Sequence, residues 1–530
     1  MNERLERLIC SLSDPSIYPH HPESVQVIQT HISVVFLAGE FVYKIKKSLF
    51  LGFLDFTTLE KRNFFCHQEV ALNSRFSKDI YLGVVSILES PSGVISFEGE
   101  GSVIEYAVLM RLIPENKILK NALAMDLVSE STIRKVADGI RHYHTSSSSN
   151  PQISVFGAPE VITQNIKENF YQTEGFIGKT ISDETFEFIK SSSLRFIEQK
   201  RPLLEQRVKD GDVRDCHGDL HLDHVVLFDQ IMLIDCIEFN DRFRYSDCLA
   251  DIAFLLMDLD FSGYPAFSEI VRKQYLIDVP DGDCQELLRF YKVYRAYVRG
   301  KVQSFILNEP EVDDASKVKA LSVASDYFRL ARAYLEPSLQ PTLVIMCGLM
   351  GSGKSFLASK LAVRLGIKPL SSDVVRKLSS GSAKLEHSLD KYGEGLYTRE
   401  SSDRVYSLML DEADLKLSQG ENVIIDASFG KLRHRIAARS LARKYKAKIF
   451  LIHCVATEDV IHERLVTRIL RPDEPSDGRW ELFHLQKSDF EPITLDEKDG
   501  YFEYSSNIDA NKFLTRIVTQ ISFGMGSNLI

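Results

Sequence analysis

The sequence predicts two domains of different class: an α+β domain over residues 1–335 and an α/β domain over residues 341–530, a parallel sheet with helices on both faces. Three observations predict this. Three β-rich runs near the N-terminus are followed by a helix and then a long, mainly helical stretch. Beyond residue 341 apolar strands alternate with amphipathic helices, the pattern of a parallel sheet with crossover helices. Between the two, Glu336-Pro-Ser-Leu-Gln-Pro341 has the proline and polar composition of a linker, assigned to residues 336–340. A chain of 530 residues also exceeds what one core supports.

Met1 to Leu12 reads as a short amphipathic helix, stopped by Asp14-Pro15 and the Pro19–Pro22 turns. Strands follow at Val25–Thr30, Val34–Leu37 and Phe41–Lys46, with Ala38-Gly39-Glu40 as a hairpin turn. Side chains alternate along a strand, so Lys44 and Lys46 share a face. They read either as ligands for an anion or as exposed lysines of an edge strand. A helix from Leu59 to Phe76 carries Glu60 and Glu69, either of which can pair with a lysine. The N-terminal lobe is placed at residues 1–115 and a helical lobe at 116–335.

The stretch Arg214-Asp-Cys-His217-Gly-Asp219-Leu-His221-Leu-Asp223-His224 is a loop dense in carboxylates and imidazoles. It enters the strand Val225–Phe228, turns at Asp229-Gln230 and returns through Ile231 to Asp235, Glu238 and Asp241. Phosphoryl transfer needs such a set, one Asp for the hydroxyl proton and others for Mg²⁺. His217, His221 and His224 read either as a metal site or as structural imidazoles beside the loop. An apolar helix, Leu249–Leu259, carries Asp251, which either braces the loop or caps the helix. The helix Gln285–Leu307 carries Tyr291, Arg295 and Arg299 on one face, for substrate recognition or for inter-helix ion pairs. A helix from Ala315 to Leu335 closes the region.

The apolar run Leu343–Cys347 breaks into Gly348-Leu-Met-Gly351-Ser352-Gly353-Lys354-Ser355, which fits the phosphate-binding pattern G-x-x-x-x-G-K-[ST]. Glycines let backbone N–H groups close around phosphate oxygens. Lys354 reaches the outer phosphates, Ser355 holds Mg²⁺, and the helix Phe356–Leu365 turns its positive end to the anion, with Gly366 as its stop. This points to ATP. Lys368–Asp373 reads as a second strand ending in a carboxylate, with Arg376 one helical turn on. Asn422–Asp426 is a third strand whose Asp426 is placed for Mg²⁺ or its water, and Ala447–Val455 is a fourth. Arg464 and Arg468, followed by Arg471-Pro-Asp-Glu-Pro-Ser-Asp477, read either as a closing lid or as an ion-pair face. The basic run Leu432–Lys448 either attracts a nucleic-acid end or is a solvated helix face.

On these residues two resemblances stand out. His217-Gly-Asp219-Leu-His221 with Leu-Ile-Asp235 resembles the catalytic loop and metal-binding aspartate of aminoglycoside-phosphotransferase-like and choline-kinase-like enzymes. That resemblance implies a kinase-like fold, with Asp219 as catalytic base, Asp235 on Mg²⁺, Lys44 on the phosphates and Glu69 as its partner. The chain departs from that pattern at His224, which stands where an Asn ligand is usual, and at Thr30-His-Ile-Ser33, where a glycine-rich loop is usual. An imidazole ligand at His224 implies altered metal use, slow turnover or a fold kept without catalysis. The C-terminal half resembles P-loop kinases of small hydroxyl compounds, zeta-toxin-like ATPases and polynucleotide 5′-kinases. Asp373-Val-Val-Arg376 is similar to the D-x-x-R of the last group, implying Asp373 as base and Arg376 as the bridge between acceptor and phosphate. The whole resembles bacterial fusions of the two types.

The expected activity is ATP-dependent transfer of a phosphoryl group to a small-molecule hydroxyl, such as that of a sugar or aminosugar. A nucleic-acid 5′ end as acceptor and a regulatory ATP-binding protein with an inactive N-terminal domain are the alternatives. Composition is that of an ordinary globular protein, 44 % apolar and 26 % charged, and the net charge of −10 speaks against a nucleic-acid coat. Eight cysteines without a C-x-x-C pair read as reduced thiols of a cytoplasmic protein. The start MNERLERLIC has no signal-peptide character, and no run approaches the ~20 apolar residues of a membrane span. Oligomeric state is not legible.

Overall fold

The computed structural model describes residues 3–279, 282–336, 340–379, 398–469 and 480–525. The chain divides into two compact units, Met1–Leu259 with Ser268–Leu335, and Asp260–Phe267 with Glu336–Ile530.

The N-terminal unit is built on an antiparallel sheet of six strands: β1 (Val25–Gln29), β2 (Ser33–Ala38), β3 (Phe41–Lys46), β4 (Tyr81–Glu89), β5 (Ile95–Ser96) and β6 (Ser102–Arg111). Their order is β1-β2-β3-β6-β4-β5. The two-residue period of β3 sorts its side chains. Tyr43 and Ile45 join Val34, Phe36 and Ala38 of β2 in a core closed by Leu8 and Leu12 of helix α1 (Glu3–Leu12). Lys44 and Lys46 therefore point to the opposite face, where helix α2 (Leu59–Ser77) lies, N-capped by Thr58. β3 pairs on both sides, with β2 and β6, and Lys46 is buried. This removes the reading of two exposed edge-strand lysines. Of the two candidate glutamates, Glu60 is exposed and Glu69 is fully buried.

The second half of the unit is helical, with two short antiparallel pairs inserted. Val213–Asp215 pairs with Tyr245–Asp247, and Val225–Leu227 with Ile231–Leu233. The first pair anchors the start of the loop 216–224 and the second pins its end.

The C-terminal unit carries a parallel five-stranded sheet in the order Leu370–Ser371, Val423–Asp426, Thr342–Cys347, Lys448–Val455, Tyr501–Ser505. The central strand Thr342–Cys347 is buried at every position. Its alternate residues feed two cores: Leu343 and Ile345 pack with Val405, Met409 and Ala438 on one face, Val344 and Met346 with Leu357, Leu361 and Ile517 on the other. Each such buried aliphatic side chain contributes about 1.5–3 kcal/mol. Two details differ from the sequence expectation. The strand over Lys368–Asp373 shrinks to Leu370–Ser371, and Asp373 sits in the first turn of the helix Ser372–Ser379. A fifth strand, Tyr501–Ser505, pairs with Lys448–Val455; its aromatic residues Tyr501, Phe502 and Tyr504 favour a strand that the sequence expectation did not include.

A buried arginine holds the edge of this unit. Arg435 donates to Glu497 Oε1 at 2.6 Å and Oε2 at 3.2 Å, to the Phe429 carbonyl at 2.9 Å and to the Pro492 carbonyl at 3.0 Å. Arg435→Ala strands the Glu497 carboxylate, and the expected loss is about 3–5 kcal/mol in the unfolding of this unit. Arg435→Met combined with Glu497→Leu is expected to recover most of it, and the denaturant midpoints of the three proteins check this.

Candidate active sites

In the N-terminal unit, burial of two ammonium groups dictates the arrangement. Lys44 Nζ donates to Glu69 Oε1 at 2.8 Å and to Asp235 Oδ1 at 2.5 Å. Lys46 Nζ donates to Glu69 Oε2 at 2.6 Å and to Glu238. Burial by itself depresses the Lys44 ammonium, but Asp235 and Glu69 outweigh it and raise its pKa, so it stays charged. Burial likewise opposes ionisation of Asp235, and Lys44 and His224 override it to hold the carboxyl far below the usual range. Asp235 adopts a left-handed backbone, φ +60°. Its N–H donates to the Tyr81 hydroxyl at 3.0 Å and the next N–H donates to Asn73 Oδ1 at 3.0 Å, which stabilises that unusual conformation.

Asp219 lies on the loop between the two short strand pairs. The loop backbone is held from below by Asp251, whose carboxylate accepts the N–H groups of His217 at 3.0 Å and Gly218 at 2.9 Å. Arg295 donates to the Gly218 carbonyl at 3.0 Å and the Ala250 carbonyl at 3.0 Å. Asp258 accepts the Leu222 N–H at 3.0 Å. Gly218 has φ +84°, and a Cβ there would lie 2.8 Å from the Phe243 carbonyl oxygen, so the turn admits glycine alone. Burial raises the Asp219 pKa, but His221, His224 and Arg299 lower it further, leaving a carboxylate that is ionised throughout the working pH range. Asp219 thus sits ready to accept a hydrogen bond from a hydroxyl.

The three histidines separate by role. His217 Nδ1 accepts the Asp219 N–H at 3.3 Å while Nε2 donates to the Ile234 carbonyl at 2.8 Å, so this ring is structural. His221 Nε2 lies 3.4 Å from Asp219 Oδ2, and His224 Nε2 lies 3.6 Å from Asp235 Oδ2. Ligand atoms of Asp219, His221 and His224 lie close enough together to hold one ion. His217 is outside that group, so the reading of a site formed by all three rings does not hold.

In the C-terminal unit the strand Thr342–Cys347 delivers the chain into the phosphate loop. Gly348 has φ +134°, and a Cβ would lie 2.3 Å from the Cys454 carbonyl oxygen. Gly348 N–H donates to the Ser428 carbonyl at 3.0 Å, and Ser352 N–H to the Leu349 carbonyl at 3.2 Å. Gly353 is the left-handed N-cap of the helix Lys354–Leu365. Lys354 Nζ donates to the Leu349 carbonyl at 2.8 Å, lying along its own loop. Burial lowers the Lys354 pKa, opposed by Asp426, Cys454 and Asp373. Arg464 Nη1 donates to the Gly351 carbonyl at 3.2 Å, and Gln486 Oε1 accepts the Met350 N–H at 2.7 Å.

A cavity of about 1770 Å³ opens over this loop, lined among others by Gly351, Gly353, Lys354, Ser355, Asp373, Arg376, Asp426 and Arg464. That is roughly twice the larger pockets that hold one small ligand, which reach about 1,000 Å³. The carboxyl ends of three strands meet at its floor, as parallel sheets require. The hydroxyl of Ser355 and the carboxylate of Asp426 are hard oxygen donors of the kind Mg²⁺ accepts. The Arg468 side chain and the segment Arg471–Asp477 lie outside the described residues.

Several positions were out of reach of sequence reasoning. Arg295 forms the expected inter-helix ion pair, with Asp251 at 3.9 Å, and also holds backbone carbonyls of the Asp219 loop, a role with no local signal. Arg299 donates to the Tyr327 hydroxyl at 3.4 Å, and Tyr291 is buried. Tyr81, Asn73 and Gln486 carry no local signal, and the partners of Lys46 and Glu238 are hidden because they are remote in sequence. The basic run is largely engaged within the fold. Arg435 is buried, Arg439 donates to the Glu497 carbonyl at 2.5 Å, Arg433 pairs with Asp403 and Lys444 with Asp414.

A family model described as "Phosphotransferase enzyme family" matches residues 93–287, and one described as "AAA domain" matches residues 343–493. An uncharacterized protein of Mycobacterium tuberculosis is 32% identical over 447 residues, covering 84% of this chain and 86% of its own, and one of Mycobacterium bovis matches equally. A shikimate kinase of Paramagnetospirillum magneticum is 30% identical over 109 residues, 21% of this chain and 53% of its own. Among solved structures, a choline/ethanolamine kinase family protein from Mesorhizobium loti is 12% identical with a TM-score of 0.37, covering 62% of this chain and 99% of its own.

Two outcomes are expected. Gly348→Ala forces a Cβ into the Cys454 carbonyl and is expected to abolish saturable binding of a fluorescent ATP analogue at the C-terminal unit. His217 has its pKa lowered from 6.5 to about 4, by burial and then by His224. In that window the unfolded chain takes up a proton on this ring and the folded chain does not. Its contribution is complete above pH 6.5 and is lost as pH falls towards 4. The stability advantage of the wild type over His217→Gln is expected to shrink by about 1.4 kcal/mol per pH unit through that window, read by urea unfolding.

Proposed function

Since the chain belongs, with its mycobacterial relatives, to a family that joins a phosphotransferase domain to a P-loop kinase domain, and is an ATP-dependent kinase, we propose that it carries two phosphoryl-transfer sites. The C-terminal unit moves the γ-phosphoryl group of ATP to a hydroxyl of a small molecule. The observation that carries this is a cavity lined by the phosphate loop together with Asp373 and Arg376.

In this reading the loop amides and Lys354 grip the β- and γ-phosphates, and Lys354 leaves the Leu349 carbonyl to do so. Asp373 accepts the proton of the acceptor hydroxyl. Arg376 spans acceptor and transferring group, while Arg464 neutralises charge that builds on the phosphoryl oxygens. Ser355 and Asp426 are the residues that would hold Mg²⁺, which when bound supplies charge neutralisation between the β- and γ-phosphates. Positioning and electrostatics of this kind account for most catalysis in phosphoryl transfer.

The N-terminal unit is assigned the second site. Lys44, fixed by Glu69, addresses the α- and β-phosphates, Asp235 and His224 flank the metal position, and Asp219 orients the acceptor hydroxyl. A polyol, aminosugar or the product of the other unit fits this chemistry. A 5′-hydroxyl nucleic-acid end is the less favoured acceptor, since Arg435 and Arg439 of the basic run are engaged within the fold. We place the protein in the cytoplasm: its cysteines are free thiols, and among the described residues no helix is long and apolar enough to cross a membrane.

Incubation with γ-labelled ATP and a pool of sugars, nucleosides and hydroxyl-ended oligonucleotides tests the assignment. Asp373→Ala is expected to remove one labelled product and Asp219→Ala another, each by at least a hundredfold. Lys354→Ala is expected to remove the first only. Labelling of oligonucleotides that disappears in Arg376→Ala selects the nucleic-acid reading. Label transfer untouched by Lys354→Ala and Asp219→Ala together rejects both assigned sites.

A further inference from the structure

The N-terminal metal position differs from that of the C-terminal unit in the chemistry of its donors. His224 Nδ1 lies 2.7 Å from the backbone carbonyl oxygen of Asp219. A carbonyl only accepts, so Nδ1 carries the hydrogen and donates it. In the neutral ring the lone pair is therefore on Nε2, and Nε2 faces Asp235 Oδ2 at 3.6 Å. The other oxygen of that carboxylate, Oδ1, is engaged by Lys44 at 2.5 Å. Two acceptors thus confront each other across a gap, and each is held from behind by a different hydrogen bond. Two donors 3.6 Å apart both reach one cation at the ordinary bond lengths of about 2.0–2.2 Å. The His221 ring, its centroid 3.9 Å from that of His224 and its plane tilted by 37°, packs against the His224 ring.

Resting on the reading of the N-terminal unit as a nucleotide site, we propose that His224 Nε2 and Asp235 Oδ2 together hold a divalent transition-metal ion in preference to Mg²⁺. Mg²⁺ is small and hard, keeps its water reluctantly exchanged and favours oxygen ligands. Imidazole nitrogen suits the first-row transition ions, whose affinity for a mixed nitrogen and oxygen set is higher. The C-terminal cavity offers Ser355 and Asp426, both oxygen donors. One chain thereby holds two nucleotide sites with different metal preference, separable by choice of ion.

Mn²⁺ is the probe, added with ATP to the full-length chain carrying Lys354→Ala, which disables the phosphate loop. Pulsed electron paramagnetic resonance is expected to show the nitrogen coupling of a directly bound imidazole. Adding His224→Asn is expected to remove that coupling and to lower at least tenfold the Mg²⁺ concentration that displaces half of the bound Mn²⁺. His224→Gln serves as a second variant, and an unchanged unfolding transition certifies that each is folded. The proposal is overturned if the coupling persists without His224, or if Mg²⁺ displaces Mn²⁺ equally well with and without it. A fluorescent ATP analogue separates the two levels. Binding to Lys354→Ala that is lost in Lys44→Ala, without imidazole coupling, sinks the metal assignment and leaves the nucleotide site standing; no binding to Lys354→Ala sinks both.

Discussion

A cation buried in protein must find an anion, and each site of this chain is shaped by how that requirement is met. Lys44 and Lys46 lie on the inner face of β3 because the alternation of the strand puts them there. Once there they need carboxylates, and fully buried Glu69 serves both. This one glutamate ties α2 to the sheet, and through Lys44 and Lys46 it also fixes Asp235 and Glu238. Removing one member of such a buried set leaves an unpaired charge, at a cost of about 3–5 kcal/mol. The same network is therefore the clamp that joins the sheet, helix α2 and the segment from Asp235 to Glu238.

The C-terminal unit answers the same requirement differently. Lys354 is half-buried, and its hydrogen bond goes to a carbonyl of its own loop and not to a carboxylate. Lys44 is instead held by two carboxylates, so the two units hold their lysines in different ways, one by a pair of anions and one by a single carbonyl.

Both sites also depend on backbone that ordinary residues avoid. Gly218 and Gly348 occupy positive φ where a Cβ would strike a carbonyl oxygen. Asp235 accepts a left-handed conformation because Tyr81 and Asn73 satisfy the N–H groups on either side of its carbonyl. The Asp219 loop is carried by Asp251, Asp258 and Arg295, whose side chains bond to backbone, with Arg295 also 3.9 Å from the Asp251 carboxylate. Their work is to hold amides and carbonyls in register, and substrate never needs to touch them.

The amino-acid order alone determined what is local. The glycine loop with Lys354 and Ser355 follows from one strand breaking into one helix. The shared face of Lys44 and Lys46 follows from a two-residue period, and the carboxylate-rich stretch from Asp219 to Asp235 from its density of chemistry. Tertiary structure decided everything that joins distant residues. It chose Glu69 over Glu60, because only the former lies on the face of α2 turned to β3. It gave Arg295 backbone carbonyls to brace besides its ion pair with Asp251, drew Arg435 into the core against Glu497, and moved Asp373 from a strand end into a helix turn. It also gave the three histidines different tasks, since a ring's role is set by what faces each nitrogen, and the backbone groups that face them are fixed by the fold.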